Sequence, residues 1–149
     1  MLNSRKTSGF TLIEILVVVA LIAILAAITF IAINPAKNFA DARNTQRSSD
    51  VREILNAITQ FTAEQNKTVA DLGTIPTCPA FVAIGTQTDN GNVNLAAAGK
   101  LVPSFIVGIP KDPSTGSDPM TGYIVCQEAG RVTVSAPSAE NGKSISVKR

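Results

Sequence analysis

The chain has 149 residues, with 13 Lys and Arg against 11 Asp and Glu, a balance too even to argue for nucleic acid or an acidic substrate as partner. It contains no His, no Trp and two Cys. The commonest general base and metal ligand is therefore missing, which weighs against catalysis. Once a terminal apolar helix is set aside, about 110 residues remain, enough for one small core.

Residues 4–35 read SRKTSGFTLIEILVVVALIAILAAITFIAINP. From Phe10 to Ile33 the only charge is Glu14. As a helix this run would be roughly 36 Å long at ~1.5 Å per residue, enough to cross a hydrocarbon core of ~30 Å. Arg5 and Lys6 precede it, which favours a cytoplasmic N-terminus. A secretory signal would have a core of ~7 to 15 residues ending in an A-x-A-like site. Here the core is longer, and the first such match, Ala40-Asp41-Ala42, falls past its end. A plain anchor explains the length but not Glu14, because a central acid costs ~2.5 to 3.5 kcal/mol on insertion scales. Near the end of the run the cost is smaller, since the side chain can snorkel.

A basic leader, then Gly9, then Phe10-Thr11-Leu12-Ile13-Glu14, then an apolar run resembles the class III signal of type IV prepilins and pseudopilins. The resemblance implies that a prepilin peptidase cuts between Gly9 and Phe10 on the cytoplasmic side and methylates the new amine of Phe10. It also implies that Glu14 pairs with the N-terminal amine of a neighbouring subunit during assembly. A buried carboxylate and a buried ammonium are each costly alone and tolerable together, so such a pair specifies alignment more than it adds stability. An acid in the first turn also interacts favourably with its own helix dipole and terminus. Both relations are open, in monomer and filament respectively. Many family members carry a Pro within the apolar helix; this chain does not, its nearest Pro being Pro35.

Asn34-Pro35 is either a helix restart, with Asn34 as N-cap and Pro35 at the first position, or a kink in one long helix, and the kink is the preferred expectation. The following segment has Val51, Ile54, Leu55, Ile58 and Phe61 at helical spacing, which predicts an amphipathic helix packed on a globular part. Its charges, Asp41, Arg43, Arg47, Asp50, Arg52 and Glu53, read as a solvated face with some pairing between subunits.

Beyond residue 67 the sequence is rich in Gly, Pro, Asn, Asp and Thr, with turn signals such as Asn90-Gly91, and reads as a connecting region with limited regular structure. GYIVCQ, GRVTVS and KSISVK then alternate apolar and polar residues, with turns at Glu128-Ala129-Gly130 and Asn141-Gly142. This predicts a three-stranded meander with Ile124, Cys126, Val132, Val134, Ile145 and Val147 inward. Cys78 and Cys126 both lie in the part placed outside the cytoplasm, where a disulfide is the economical reading. A catalytic or metal thiol would have no His to support it. Asp112, Ser114, Thr115 and Asp118 offer the hard oxygens Ca²⁺ prefers, in a segment placed like the calcium loop of the major pseudopilin of type II secretion. The spacing is not that of an EF-hand, and the same residues are ordinary turn chemistry; no cofactor is expected unless calcium binds at Asp112 and Asp118.

The expected organisation is a cleaved leader over 1–9, a transmembrane and filament-core helix over 10–33, its amphipathic continuation over 34–67, and a globular domain over 68–149. The expected fold class is α+β and type IV pilin-like, a long N-terminal helix packed on a small antiparallel sheet. The resemblance implies a non-enzymatic structural subunit of a type IV pilus or related filament, with a secretion pseudopilin or a competence pilin for DNA uptake as alternatives. The implied partners are copies of itself in a helical filament, the prepilin peptidase, an inner-membrane assembly platform and, before assembly, membrane lipid. The implied location is the inner membrane in a single pass, then an extracellular or periplasmic filament. A DNA-binding subunit would need a basic patch with stacking aromatics, but beyond Gly9 acids and bases number 11 each and Tyr123 is the only Tyr. An anchored enzyme lacks a nucleophile constellation.

Overall fold

A computed structural model describes residues 9–87 and 91–149. The leader up to residue 8, with Arg5 and Lys6, lies outside the described residues, as does Asn90 of the Asn90-Gly91 turn. The chain divides into two compact units, 1–38 and 39–149.

The first unit holds α1, Leu12–Ile33. No Gly or Pro interrupts it, and Leu, Ile and Ala fill most of its positions, the first and last of these being good helix formers. It has no buried residue within the chain, and it is long and apolar enough to cross a membrane. The helix ends at Asn34, which takes the left-handed conformation (φ 44°, ψ 72°). α2, Pro35–Ala63, begins at the next residue. The Asn34 side chain accepts from the Lys37 amide at 3.3 Å, and the Asn38 side chain donates to the Ile33 carbonyl at 3.0 Å. The restart, with Asn34 as N-cap and Pro35 at the first position, thus replaces the expected kink. The residue before a proline avoids the right-handed helical region, and Asn tolerates the left-handed one better than most.

In the second unit, α2 buries Val51, Ile54, Leu55, Ile58 and Phe61, the predicted stripe. These join one core with Leu72, Ile84, Leu95, Leu101, Tyr123, Val125 and Val134. The helix ends at Ala63, short of the expected 67.

The sheet has five strands: β1 Val82–Gly85, β2 Val93–Asn94, β3 Met120–Glu128, β4 Arg131–Ala136 and β5 Ile145–Lys148. Their order is β2-β1-β3-β4-β5. The predicted meander is β3-β4-β5, antiparallel throughout. Ala129 and Gly130 join β3 to β4 with positive φ at both positions (48° and 75°), the requirement of a two-residue turn that matches strand twist. β1 and β2 fall in the connecting region expected to have limited regular structure. They pair in parallel while β1 pairs with β3 antiparallel, so the sheet is mixed.

One register expectation is corrected. Val125 pairs with Val134 and Val134 with Val147, so the core face of β3 carries Thr121, Tyr123 and Val125, all fully buried. Ile124 lies on the opposite parity and is half-buried. Cys126 shares that parity and is nevertheless buried, joined to Cys78. Tyr123-Ile124-Val125-Cys126 is apolar at both parities, so alternation alone could not choose the face.

Candidate processing and assembly site

Thr11 sets the start of α1. Its backbone is extended (φ −83°, ψ 151°) and its Oγ1 accepts from the Glu14 amide at 3.3 Å. The Ile15 amide donates to the Thr11 carbonyl at 3.3 Å. With Leu12 first in the helix, Glu14 occupies the third position of the first turn, where a carboxylate is favoured by the exposed N–H groups. Thr-x-x-Glu is the sequence signature of such a start, a signal the reading of the sequence above did not use.

Gly9 and Phe10 precede the helix, both exposed and in no regular structure. Nothing lies within 4 Å of where a Gly9 side chain would begin, and Phe10 is 80% exposed. The peptide bond between them is therefore outside the helical hydrogen-bond ladder and open to an enzyme. Cutting it would place an ammonium on Phe10, four residues ahead of Glu14.

The other singled-out residues lie in the second unit. Cys78 and Cys126 form a disulfide with Cα atoms 5.3 Å apart. Around it the Cys78 amide donates to the Gln127 carbonyl at 3.0 Å, and the Gln127 amide to the Pro76 carbonyl at 2.9 Å, so the bridge staples the 75–78 segment along β3.

Asp112 is buried and bound by Arg47, whose Nε and Nη2 donate to its two oxygens at 2.6 and 3.1 Å. It also accepts from the Ser114 and Thr115 amides at 2.9 and 3.0 Å, an Asx-type turn. Asp118 is exposed and takes Lys111 at 2.6 Å and the Thr86 hydroxyl at 2.8 Å. Each acid thus already holds a cation of the chain itself, and a calcium ion would have to displace both. Among the described residues, no three or more His, Cys, Asp or Glu gather as a metal set.

Arg47 and Asp50 correct the expectation of a solvated charged face, being 0% and 2% exposed. Besides Asp112, Arg47 donates to Asn44 Oδ1 at 3.1 Å, Glu140 Oε2 at 2.8 Å and Ser114 Oγ at 2.6 Å. All five guanidinium N–H donors are then used, leaving none for a ligand. Arg43 adds a two-pronged contact to Glu140 at 2.7 and 2.6 Å, and the Tyr123 hydroxyl donates to Asp50. Burial pushes the Asp112 carboxyl up, but Arg47, Ser114 and Thr115 outweigh it and hold the group well below the usual carboxylate range. Arg43 first, then Arg47, pull Glu140 down to about 2. Burial, then the Asp50 hydrogen bond, raise the Tyr123 hydroxyl. The hub joins α2 to the 112–115 turn and the β4–β5 connection and is structural.

Residues 4–30 match the family model described as the prokaryotic N-terminal methylation motif. Among curated proteins and among solved structures, nothing matches the chain. The matched stretch spans residues 4–8 of the leader, Gly9, Phe10, Glu14 and most of α1. The chain therefore carries a class III signal peptide of the type IV prepilin and pseudopilin kind, on an α+β, type IV pilin-like arrangement of a long N-terminal helix and a small mixed sheet.

Proposed function

We propose that the chain is the precursor of a structural subunit of a type IV pilus or closely related filament. A prepilin peptidase cleaves it between Gly9 and Phe10 and methylates the Phe10 amine. Before assembly α1 sits in the inner membrane with the leader in the cytoplasm, and residues 39–149 stand on the other side. In the filament, α1 of each subunit packs among copies of itself and Glu14 meets the Phe10 ammonium of a neighbour.

The observation that carries this reading is the placement of Glu14 at the third position of a helix whose other 21 residues bear no charge, directly after an exposed Gly9-Phe10 bond. In an apolar bundle an isolated carboxylate and an isolated ammonium are both expensive. Paired, each offsets part of the other's penalty, so subunits add in the register that brings them together. The amine exists at that position only after cleavage, which makes processing a precondition for assembly.

Replacing Glu14 tests this. Glu14→Ala should leave membrane insertion and cleavage intact while filament yield, counted by electron microscopy, falls sharply. Wild-type filament yield from the variant would contradict the pairing role.

A further inference from the structure

We propose that Asn66 is an N-glycosylation site, at which a membrane-bound transferase acting outside the cytoplasm joins an oligosaccharide to the side-chain amide. This rests on the topology proposed above, which puts residues 39–149 across the membrane from the leader, and adds a covalent modification to it.

Asn66-Lys67-Thr68 is an Asn-x-Thr signal with no Pro at its middle position, the acceptor pattern for N-linked sugars. No other Asn in the chain has Ser or Thr two residues on. Such a signal acts only from a surface loop, and that is where the fold puts it. α2 ends at Ala63 and a short 3₁₀ helix begins at Val69. Between them residues 64–68 turn, the Lys67 amide donating to the Glu64 carbonyl at 3.3 Å.

Asn66 is exposed, with its backbone in the left-handed region (φ 61°), and its side chain makes no hydrogen bond among the described residues. Its amide can therefore be engaged without breaking a contact of the fold. Thr68 is exposed as well. Its hydroxyl donates to Asp71 Oδ2 at 2.8 Å, but its amide donates to the same oxygen at 2.7 Å. The turn keeps that second bond when a transferase takes the hydroxyl, and exchanging one surface hydrogen bond for another costs little net. Lys67 lays its Nζ 5.1 Å from the centroid of the Phe61 ring, so the middle residue is the one tied to the core.

The step is a glycosyl transfer with no change of oxidation state. Asn66 Nδ2 attacks the anomeric carbon of an oligosaccharide carried on a lipid pyrophosphate. The new C–N bond forms as the C–O bond to the pyrophosphate breaks. The lipid pyrophosphate leaves with the electron pair, and one amide proton passes to a base of the transferase.

The test is peptide mapping by mass spectrometry of the protein purified from the cells that assemble it. The peptide carrying Asn66 should be heavier by an oligosaccharide, with fragment ions placing the sugar on Asn66. Asn66→Gln and Thr68→Val should each abolish the addition, while Thr68→Ser, which keeps the hydroxyl, should retain it. Asn66→Gln removes no contact of the fold, so its circular dichroism should match that of the wild type. Unmodified Asn66 on chains that begin at Phe10 and sit in filaments would overturn the proposal and leave the filament reading standing. A sugar that persists in Asn66→Gln would do the same. Labelling of residues 39–149 by a membrane-impermeant amine reagent only after the membrane is broken would overturn the topology and the proposal together.

Discussion

Arg47 grips both oxygens of Asp112 at 2.6 and 3.1 Å, with neither side chain exposed to solvent. The two are 65 residues apart, so the contact ties α2 to the turn that leads into β3.

Removing one partner from a buried ion pair leaves the other charge uncompensated, which typically costs about 3 to 5 kcal/mol. Arg47→Met should destabilise the folded protein by that order, read from chemical denaturation followed by circular dichroism. Adding Asp112→Asn to Arg47→Met should recover part of the loss, because the side chain keeps an oxygen for the Ser114 and Thr115 amides without a stranded charge. A loss below about 1 kcal/mol would place Arg47 among exposed, weakly coupled ion pairs instead.

The same hub sets an acid limit. A carboxylate whose folded pKa lies below its unfolded value stabilises the fold above the unfolded value, and that contribution is lost as pH falls through the folded one. Glu140 is held at about 2 against an ordinary 4.5, and Asp112 is lowered in the same direction. Thermal stability should therefore change little on this account at neutral pH and fall as pH drops from about 4.5 towards about 2. Glu140→Gln should reduce the steepness of that fall. Stability rising over this window would contradict the assignment.

Cys78 and Cys126 are separated by 48 residues, and closing a loop of that size contributes roughly 4 kcal/mol in the chain-entropy model. Reduction, or a Cys78→Ser/Cys126→Ser double variant, should lower the melting temperature of the folded protein. Free thiols in native protein, titrated before any reductant is added, would count against a structural bridge.

Much of this molecule was legible because its strongest signals are local. An apolar run and a Gly-Phe-x-x-x-Glu start need no knowledge of distant residues, and the α2 stripe follows from helical period alone. Arg47 shows where that stops. Ala40, Asn44, Arg47, Val51, Ile54, Ile58 and Phe61 advance in steps of three and four, so the buried stripe continues through a charged residue. Charged side chains are rarely fully buried without a partner, and these partners, Asp112 and Glu140, come from remote turns that no pattern around residue 47 announces. β1 and β2 were missed for a related reason: they are four and two residues long, too short for alternation to show. Ile124 and Cys126 were assigned to the wrong face because their neighbours Tyr123 and Val125 are equally apolar.

The most direct test of the account is the intact mass and N-terminal sequence of the mature protein purified from the cells that assemble it. The mature chain should begin at Phe10, with the leader through Gly9 absent and one methyl group on the Phe10 amine. A chain retaining Met1 within an assembled filament would contradict it.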